Sequence, residues 1–166
     1  KTRPGVAKTK KEFRPPEYKV NFQNGVYDLM KEELVSHRED YYFTSQIPHD
    51  YNPDAEGGNV RNFFEEITET EEEAQTLMEL SGYAMMPSMP ISAAFLLVGK
   101  GDNGKTVFLN TLRELIGEEH AKDEDLQQLE HTRFATSSLY RKLLVVSDDM
   151  PSTALETGGT LKGITG

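Results

Sequence analysis

The feature that most constrains the fold is a glycine-rich segment at residues 99–106, which reads Gly-Lys-Gly-Asp-Asn-Gly-Lys-Thr. It fits the phosphate-binding pattern G-x-x-x-x-G-K-[ST] without a mismatch. The continuous apolar run 93–98 precedes it, and apolar side chains at helical spacing follow it as far as Gly117. A buried strand, a glycine-rich turn and a helix form the context that this pattern requires. The sequence therefore predicts the strand, loop and helix that begin an α/β P-loop nucleotide-binding core with a parallel sheet.

The residue types in this loop fit the binding of ATP with Mg²⁺. The glycines allow backbone angles at which successive N–H groups point at phosphate oxygens, and the following helix directs its N-terminal dipole at the same anion. Lys105 is predicted to contact the β and γ phosphates, and the Thr106 hydroxyl is predicted to bind Mg²⁺. The predicted nucleotide-binding residues are Gly99, Gly101, Asp102, Asn103, Gly104, Lys105, Thr106 and Val107.

A second acidic site is predicted where another apolar segment ends. Residues 142–147 have the composition of a buried strand and lead directly into Asp148 and Asp149. Because α/β sheets bind ligands at the carboxyl ends of their strands, we expect Asp148 to be a magnesium ligand. Asp149 is predicted to orient the water that attacks the γ-phosphate. The predicted catalytic residues are therefore Lys105 and Asp149. The alternative interpretation is that the two aspartates cap the helix that follows.

The region before the loop is predicted to be a small α+β unit. Residues 23–25, Gln-Asn-Gly, lie between two short apolar segments, which indicates a hairpin. Apolar residues at helical spacing over 60–67 predict one helix. A capping box of Thr70 and Glu73 predicts the start of a second helix, which ends at Gly82 or near the prolines that follow it.

The predicted division of the chain has three parts. They are a basic, proline-rich linker at 1–19, the hairpin and two helices at 20–90, and the N-terminal part of the P-loop domain at 91–166. The basic side chains of the first part could contact nucleic acid, but a solvated linker is the simpler interpretation. The chain begins with Lys1 and stops without helix-ending composition, so we expect it to be a piece of a longer protein.

Composition and charge exclude several classes of protein. The formal net charge is -10, which excludes a broad basic surface that coats DNA and leaves only local DNA contacts. There are no cysteines, which excludes disulfides and thiolate metal sites and fits a reducing cytoplasm. No apolar run approaches the roughly 20 residues of a membrane span, so no membrane partner is expected. His120 and His131 do not have the spacing of a zinc site and are interpreted as surface histidines.

Several separated blocks resemble phage and plasmid DNA primase-helicases, a family that includes satellite-phage primases and the poxvirus primase-helicase. The blocks are 21–29, 42–48, 99–106, 133–135, the Asp148–Asp149 pair and 161–166. They occur in the family's order, so the resemblance runs from about residue 20 to the end of the chain.

The resemblance implies a superfamily-three helicase with an AAA+-like ATPase core. Such proteins assemble into a hexameric ring, move along single-stranded or forked DNA with ATP, and often carry an upstream primase domain. This protein would then act in DNA replication in the cytoplasm of a cell that hosts a phage, prophage or plasmid. A glutamate is common where Asp149 stands here, which leaves its role open. The family's DNA-contacting hairpin, sensor strand and arginine finger would follow the segment that begins at Leu161, so turnover by this chain alone is not expected.

Two other functions stay open on the residues alone. One is a non-catalytic module that docks replication partners when nucleotide is bound. The other is a different P-loop NTPase such as a kinase, because the loop by itself does not choose among NTPases.

Overall fold

The computed structural model describes residues 14–88, 91, 93–124 and 139–147. The first sheet contains three short antiparallel strands in the order β1-β2-β3. They are β1 (Lys19–Phe22), β2 (Gly25–Asp28) and β3 (Glu33–Val35). Phe22 pairs with Gly25 across a two-residue turn, and Val26 pairs with Val35. The predicted hairpin is confirmed, with Gly25 inside β2, whereas β3 is too short and too exposed to be found from its apolar pattern.

Residues 45–51 lie along the free edge of β1. The Ile47 N–H donates to the Asn21 carbonyl at 2.8 Å, and the Gln23 N–H donates to the His49 carbonyl at 3.0 Å. Ile47 is almost completely buried, and the Tyr51 ring lies 4.4 Å from the Tyr27 ring. The segment therefore covers an edge that would otherwise expose unpaired backbone groups.

Both helices predicted before the loop are present, as α1 (Gly58–Ile67) and α2 (Glu71–Ala84). The capping box is confirmed: the Glu73 N–H donates to the Thr70 hydroxyl at 3.2 Å, and the Thr70 N–H donates to the Glu73 carboxylate at 3.2 Å. Helix α2 continues through Gly82 and ends at Ala84. A single interior glycine costs a helix about 1 kcal/mol, which tertiary packing readily offsets.

The second half contains α3 (Lys105–Ile116), a 3₁₀ turn (Glu118–His120), β4 (Ala121–Asp123) and β5 (Leu144–Val146). The helix after the loop and a strand within 142–147 are confirmed. Strands β4 and β5 pair in parallel, with Ala121 opposite Leu144. One parallel pair does not establish a P-loop core, so the fold class stays a prediction.

The predicted buried strand at 93–98 is wrong for this structure. In the described ranges these residues pair with neither β4 nor β5. Phe95 is 51% exposed and Val98 is 83% exposed, and only Leu97 packs against a core cluster. An apolar run shows that a segment is suited to burial, but it forms a strand only beside a neighbour that takes up its backbone hydrogen bonds.

Two core clusters hold the elements together. The first joins the N-terminal sheet to α2, α3 and β4 and contains Val20, Phe22, Ile47, Ala84, Ile116 and Ala121. The second lies among the three helices and contains Phe64, Ala74, Leu80, Phe108 and Leu112. Helix α3 contributes to both clusters, so the helix that follows the glycine-rich loop is packed against the rest of the chain on two sides.

Candidate nucleotide-binding site

The glycine-rich loop leads directly into α3. Gly104 is the N-cap residue, and the first intrahelical hydrogen bond runs from the Phe108 N–H to the Gly104 carbonyl at 2.9 Å. The N–H groups of Lys105, Thr106 and Val107 therefore have no acceptor within the helix. A helix start of this kind, with a lysine at its first position, is an environment that favours an anion.

The Lys105 side chain is folded back onto the loop. Its ammonium group donates to the Gly99 carbonyl at 3.0 Å, the Lys100 carbonyl at 3.2 Å and the Asn103 side-chain oxygen at 2.6 Å. Gly99, Lys100 and Asn103 thus surround one positive charge. Thr106 and Val107, in the first turn of α3, are exposed.

At two of the motif glycines an added Cβ would meet neighbouring atoms. Gly104 has φ = +79°, and a Cβ at that position would overlap the Cγ2 atom of Ile67 on α1. A Cβ on Gly99 would overlap the Asn103 side-chain nitrogen. Gly101 differs, because no atom lies within 4 Å of the position where its Cβ would stand. Its surroundings therefore leave room for a ligand or for a side chain.

The acidic half of the predicted site follows strand β5 in the sequence. Asp148 and Asp149 lie outside the described residues, one and two positions beyond Ser147. Strand β5 ends at Val146, beside the end of β4 at Asp123. Within the described ranges, no group of three or more His, Asp or Glu side chains is placed to hold a metal ion. The proposed magnesium ligands, Thr106 and Asp148, therefore stay predictions.

The C-terminal end of α3 and the 3₁₀ turn after it contact the segment at residues 45–51. The His49 ring lies 3.1 Å from the Glu114 carbonyl, and the His120 ring lies 3.2 Å from the Gln46 carbonyl. The side chain of His120 is only 12% exposed, so its interpretation as a surface histidine is wrong, and His131 lies outside the described residues. No local pattern marks either contact, because the partners are 65 and 74 positions apart in the sequence.

Among the described residues, the side chains with perturbed pKa values lie in the N-terminal sheet and the segment after it. The Lys19 ammonium, which bonds the Asp28 carboxylate, holds the pKa of Asp28 below its usual value. A hydrogen bond with Tyr51 raises the pKa of Tyr27, and the Asp40 carboxylate raises the pKa of Arg38. None of these three groups is part of the glycine-rich loop.

Two family models match the chain, each over less than half of its length. A family described as "D5 N terminal like" matches residues 1–69, which include the hairpin and α1. A family of unknown function, DUF5906, matches residues 97–166, which include the glycine-rich loop. The D5 match supports the resemblance to phage and viral primase-helicases, in which this domain lies at the N-terminus. No curated protein matches the chain significantly.

No helix among the described residues is both long enough and apolar enough to cross a bilayer.

Proposed function

We propose that the loop at residues 99–106 binds ATP with Mg²⁺, and that the chain is the ATP-binding part of a replicative primase-helicase of a phage, prophage or plasmid. The observation that carries the proposal is the Lys105 ammonium held among loop oxygens at the start of α3. The match of residues 1–69 to the D5 N terminal like family supports the replicative context. The fold class that goes with this function is a P-loop NTPase core of the AAA+ type.

The residues of the loop fit a polyphosphate by charge and by geometry. The N–H groups at the start of α3 and the three donors of Lys105 supply positive potential at one place. The open surroundings of Gly101 leave room for a ligand beside the loop backbone. In this proposal Lys105 orients the β and γ phosphates, while Thr106 and Asp148 hold Mg²⁺.

When bound, Mg-ATP supplies the phosphoanhydride bond whose hydrolysis drives movement on DNA. Asp149 holds the attacking water in line and accepts a hydrogen bond from it. The α3 helix keeps the loop in place because its other end is packed in the first core cluster through Ile116. The whole protein acts as a hexameric ring on single-stranded or forked DNA. The overall negative charge is compatible with this, because DNA then meets only the few basic side chains of a central channel.

The proposal is tested by ATP hydrolysis in the full-length protein, with and without single-stranded DNA. We expect DNA to stimulate turnover, and Lys105→Ala to reduce kcat by about 100-fold or more, as loss of a group that stabilises transition-state charge does. The control is Lys31→Ala, which removes a lysine that is 65% exposed and lies outside the loop. Unchanged turnover in Lys105→Ala contradicts the proposal. Binding of ATP without turnover indicates the docking module instead, and transfer of phosphate to a small acceptor indicates a kinase.

A further inference from the structure

The Asn103 side chain occupies the inside of the glycine-rich loop. Its oxygen lies 2.6 Å from the Lys105 ammonium nitrogen, which is the shortest of the three contacts that this group makes in the loop. A lysine ammonium has three N–H donors and no acceptor. The three loop oxygens therefore match its whole donor capacity.

The space above Gly99 is filled by the same side chain. A Cβ on Gly99 would overlap the Asn103 side-chain nitrogen and lie 3.5 Å from the Lys105 ammonium nitrogen. Gly99 does not have a positive φ, so its backbone conformation is open to any residue. A side chain at Gly99 would therefore require the Asn103 amide to move.

We propose that Asn103 is an intramolecular latch that competes with phosphate for Lys105. This inference rests on the proposed function, because it concerns the same loop. Two of the oxygens that accept hydrogen bonds from Lys105 are backbone carbonyls, which are fixed with the loop. The third, the Asn103 oxygen, is on a side chain that rotates about its own bonds. A phosphate oxygen that approaches Lys105 displaces the Asn103 oxygen first. Binding therefore includes the loss of one hydrogen bond to a charged group, and this lowers the affinity.

The opposite role makes the opposite prediction. If Asn103 instead holds Lys105 in the orientation that phosphate needs, its removal frees the lysine and weakens binding. The sign of the change in affinity decides between the two roles.

The test measures the dissociation constants of pyrophosphate without Mg²⁺ and of Mg-ATP. For Asn103→Ala the latch predicts binding tighter by about three- to tenfold, because water replaces only part of a hydrogen bond to a charged group. For Asn103→Asp the latch predicts binding weaker by about tenfold or more, because the carboxylate forms an ion pair with the Lys105 ammonium and repels the phosphate. The matched control is Asn62→Ala, at an exposed position in α1, with no change expected.

The outcomes separate the latch from the proposed function. If the unmodified protein binds, Lys105→Ala does not, and Asn103→Ala binds equally or more weakly, the latch is wrong and the proposed function stands. If neither the unmodified protein nor Asn103→Ala binds either ligand, both are wrong. If only Asn103→Ala binds, both the latch and the proposed function are supported. The contact between Asn103 and Lys105 is then strong enough to prevent binding in the unmodified protein.

A nuclear magnetic resonance measurement checks the contact between Asn103 and Lys105 directly. The side-chain NH₂ signals of Asn103 in a nitrogen–proton correlation spectrum should shift in Lys105→Met, because the oxygen of the same amide loses its donor. Pyrophosphate should move the signals of the unmodified protein in the same direction. Signals that do not respond to either change show that the amide is not bound to Lys105 in solution, and the latch is then overturned.

Discussion

The N-terminal sheet and the segment around the glycine-rich loop differ in what fixes their backbones. In the sheet, polar side chains tie separate segments together: the Asn24 side chain exchanges two hydrogen bonds with the backbone of Tyr51, both at 2.9 Å, and the Asn21 side chain donates to the Ser45 carbonyl at 2.9 Å. Residues 93–98 are more apolar than any strand of that sheet, yet they are largely exposed and unpaired among the described residues. A segment therefore forms a strand only where a neighbouring segment takes up its backbone hydrogen bonds. Apolar side chains alone are not sufficient.

Among the described residues, the contacts that hold the glycine-rich loop in place come from α1 and α3. Gly104 lies against Ile67 of α1, and Phe108 packs edge-on against Phe64, with ring centroids 5.4 Å apart. The contacts that hold the loop in place thus come from the helices that follow and face it, and the run 93–98 contributes little.

The largest effect is expected in the helical core beneath the loop. Phe64 is 1% exposed, and Phe64→Ala should lower the free energy of unfolding by about 3–5 kcal/mol. Phe95→Ala, in the apolar run, is the matched control and should change it by less than about 1 kcal/mol, because half of that side chain is already in contact with water. Denaturant unfolding of both variants measures the difference. Equal losses would show that 93–98 is buried in solution.

A smaller loss is expected at the start of α3. Gly104→Ala adds a Cβ at a positive φ and against Ile67, so it should destabilise the protein by about 2–4 kcal/mol. Gly101→Ala adds the same atom in the same loop where no neighbour lies within 4 Å, and its stability should stay within about 0.5 kcal/mol of the parent. Thermal melts of the two variants make the comparison. A tolerated Gly104→Ala would show that the loop is not seated on α1.

The sequence predicted the parts of the fold that adjacent residues encode. The hairpin follows from residues 23–25, the start of α2 from Thr70 and Glu73, and the end of α3 from Gly117, whose φ is +90°. Each of these signals lies within a few positions of the structure that it specifies. The loop residues of the candidate site were found in the same way, from one contiguous motif.

The features that the sequence did not predict depend on distant partners. Residues 45–51 adopt their path because of β1, and His49 meets α3 across 65 positions. Strand β4 contains only three residues and has no apolar alternation of its own. The hydrogen bond between Asn103 and Lys105 is local, but it depends on side-chain geometry that the motif does not specify. Such features follow from packing and backbone pairing, which a single sequence does not display.

A helix-cap substitution tests the local signals directly. Thr70→Ala removes the acceptor for the Glu73 N–H and should destabilise the protein by about 1 kcal/mol. Thr76→Ala makes the same substitution inside α2, where the hydroxyl only bonds the Glu72 carbonyl one turn earlier, and should be neutral or slightly stabilising. Chemical denaturation measures the free energy of unfolding of the two variants. Equal effects would mean that the cap does not define the start of α2.

The smallest effect is expected in the sheet and depends on pH. The pKa of Asp28 is lowered by Lys19, so its contribution to stability is present above the unfolded value near 4 and is lost as pH falls through the lower folded pKa. The difference in Tm between the parent and Asp28→Asn should therefore narrow as the pH is lowered from 7 to below 4. A difference that is the same at both ends of this range argues against the ion pair.

The central claim is that the glycine-rich loop binds ATP, and calorimetric titration of ATP with and without Mg²⁺ tests it most directly. The parent protein, Lys105→Ala and Asp148→Ala are compared at one pH and one salt concentration. The account predicts binding by the parent that Mg²⁺ strengthens, loss of binding in Lys105→Ala, and loss of the Mg²⁺ dependence in Asp148→Ala. Equal binding by the parent and Lys105→Ala, or no binding by the parent under either condition, would contradict it.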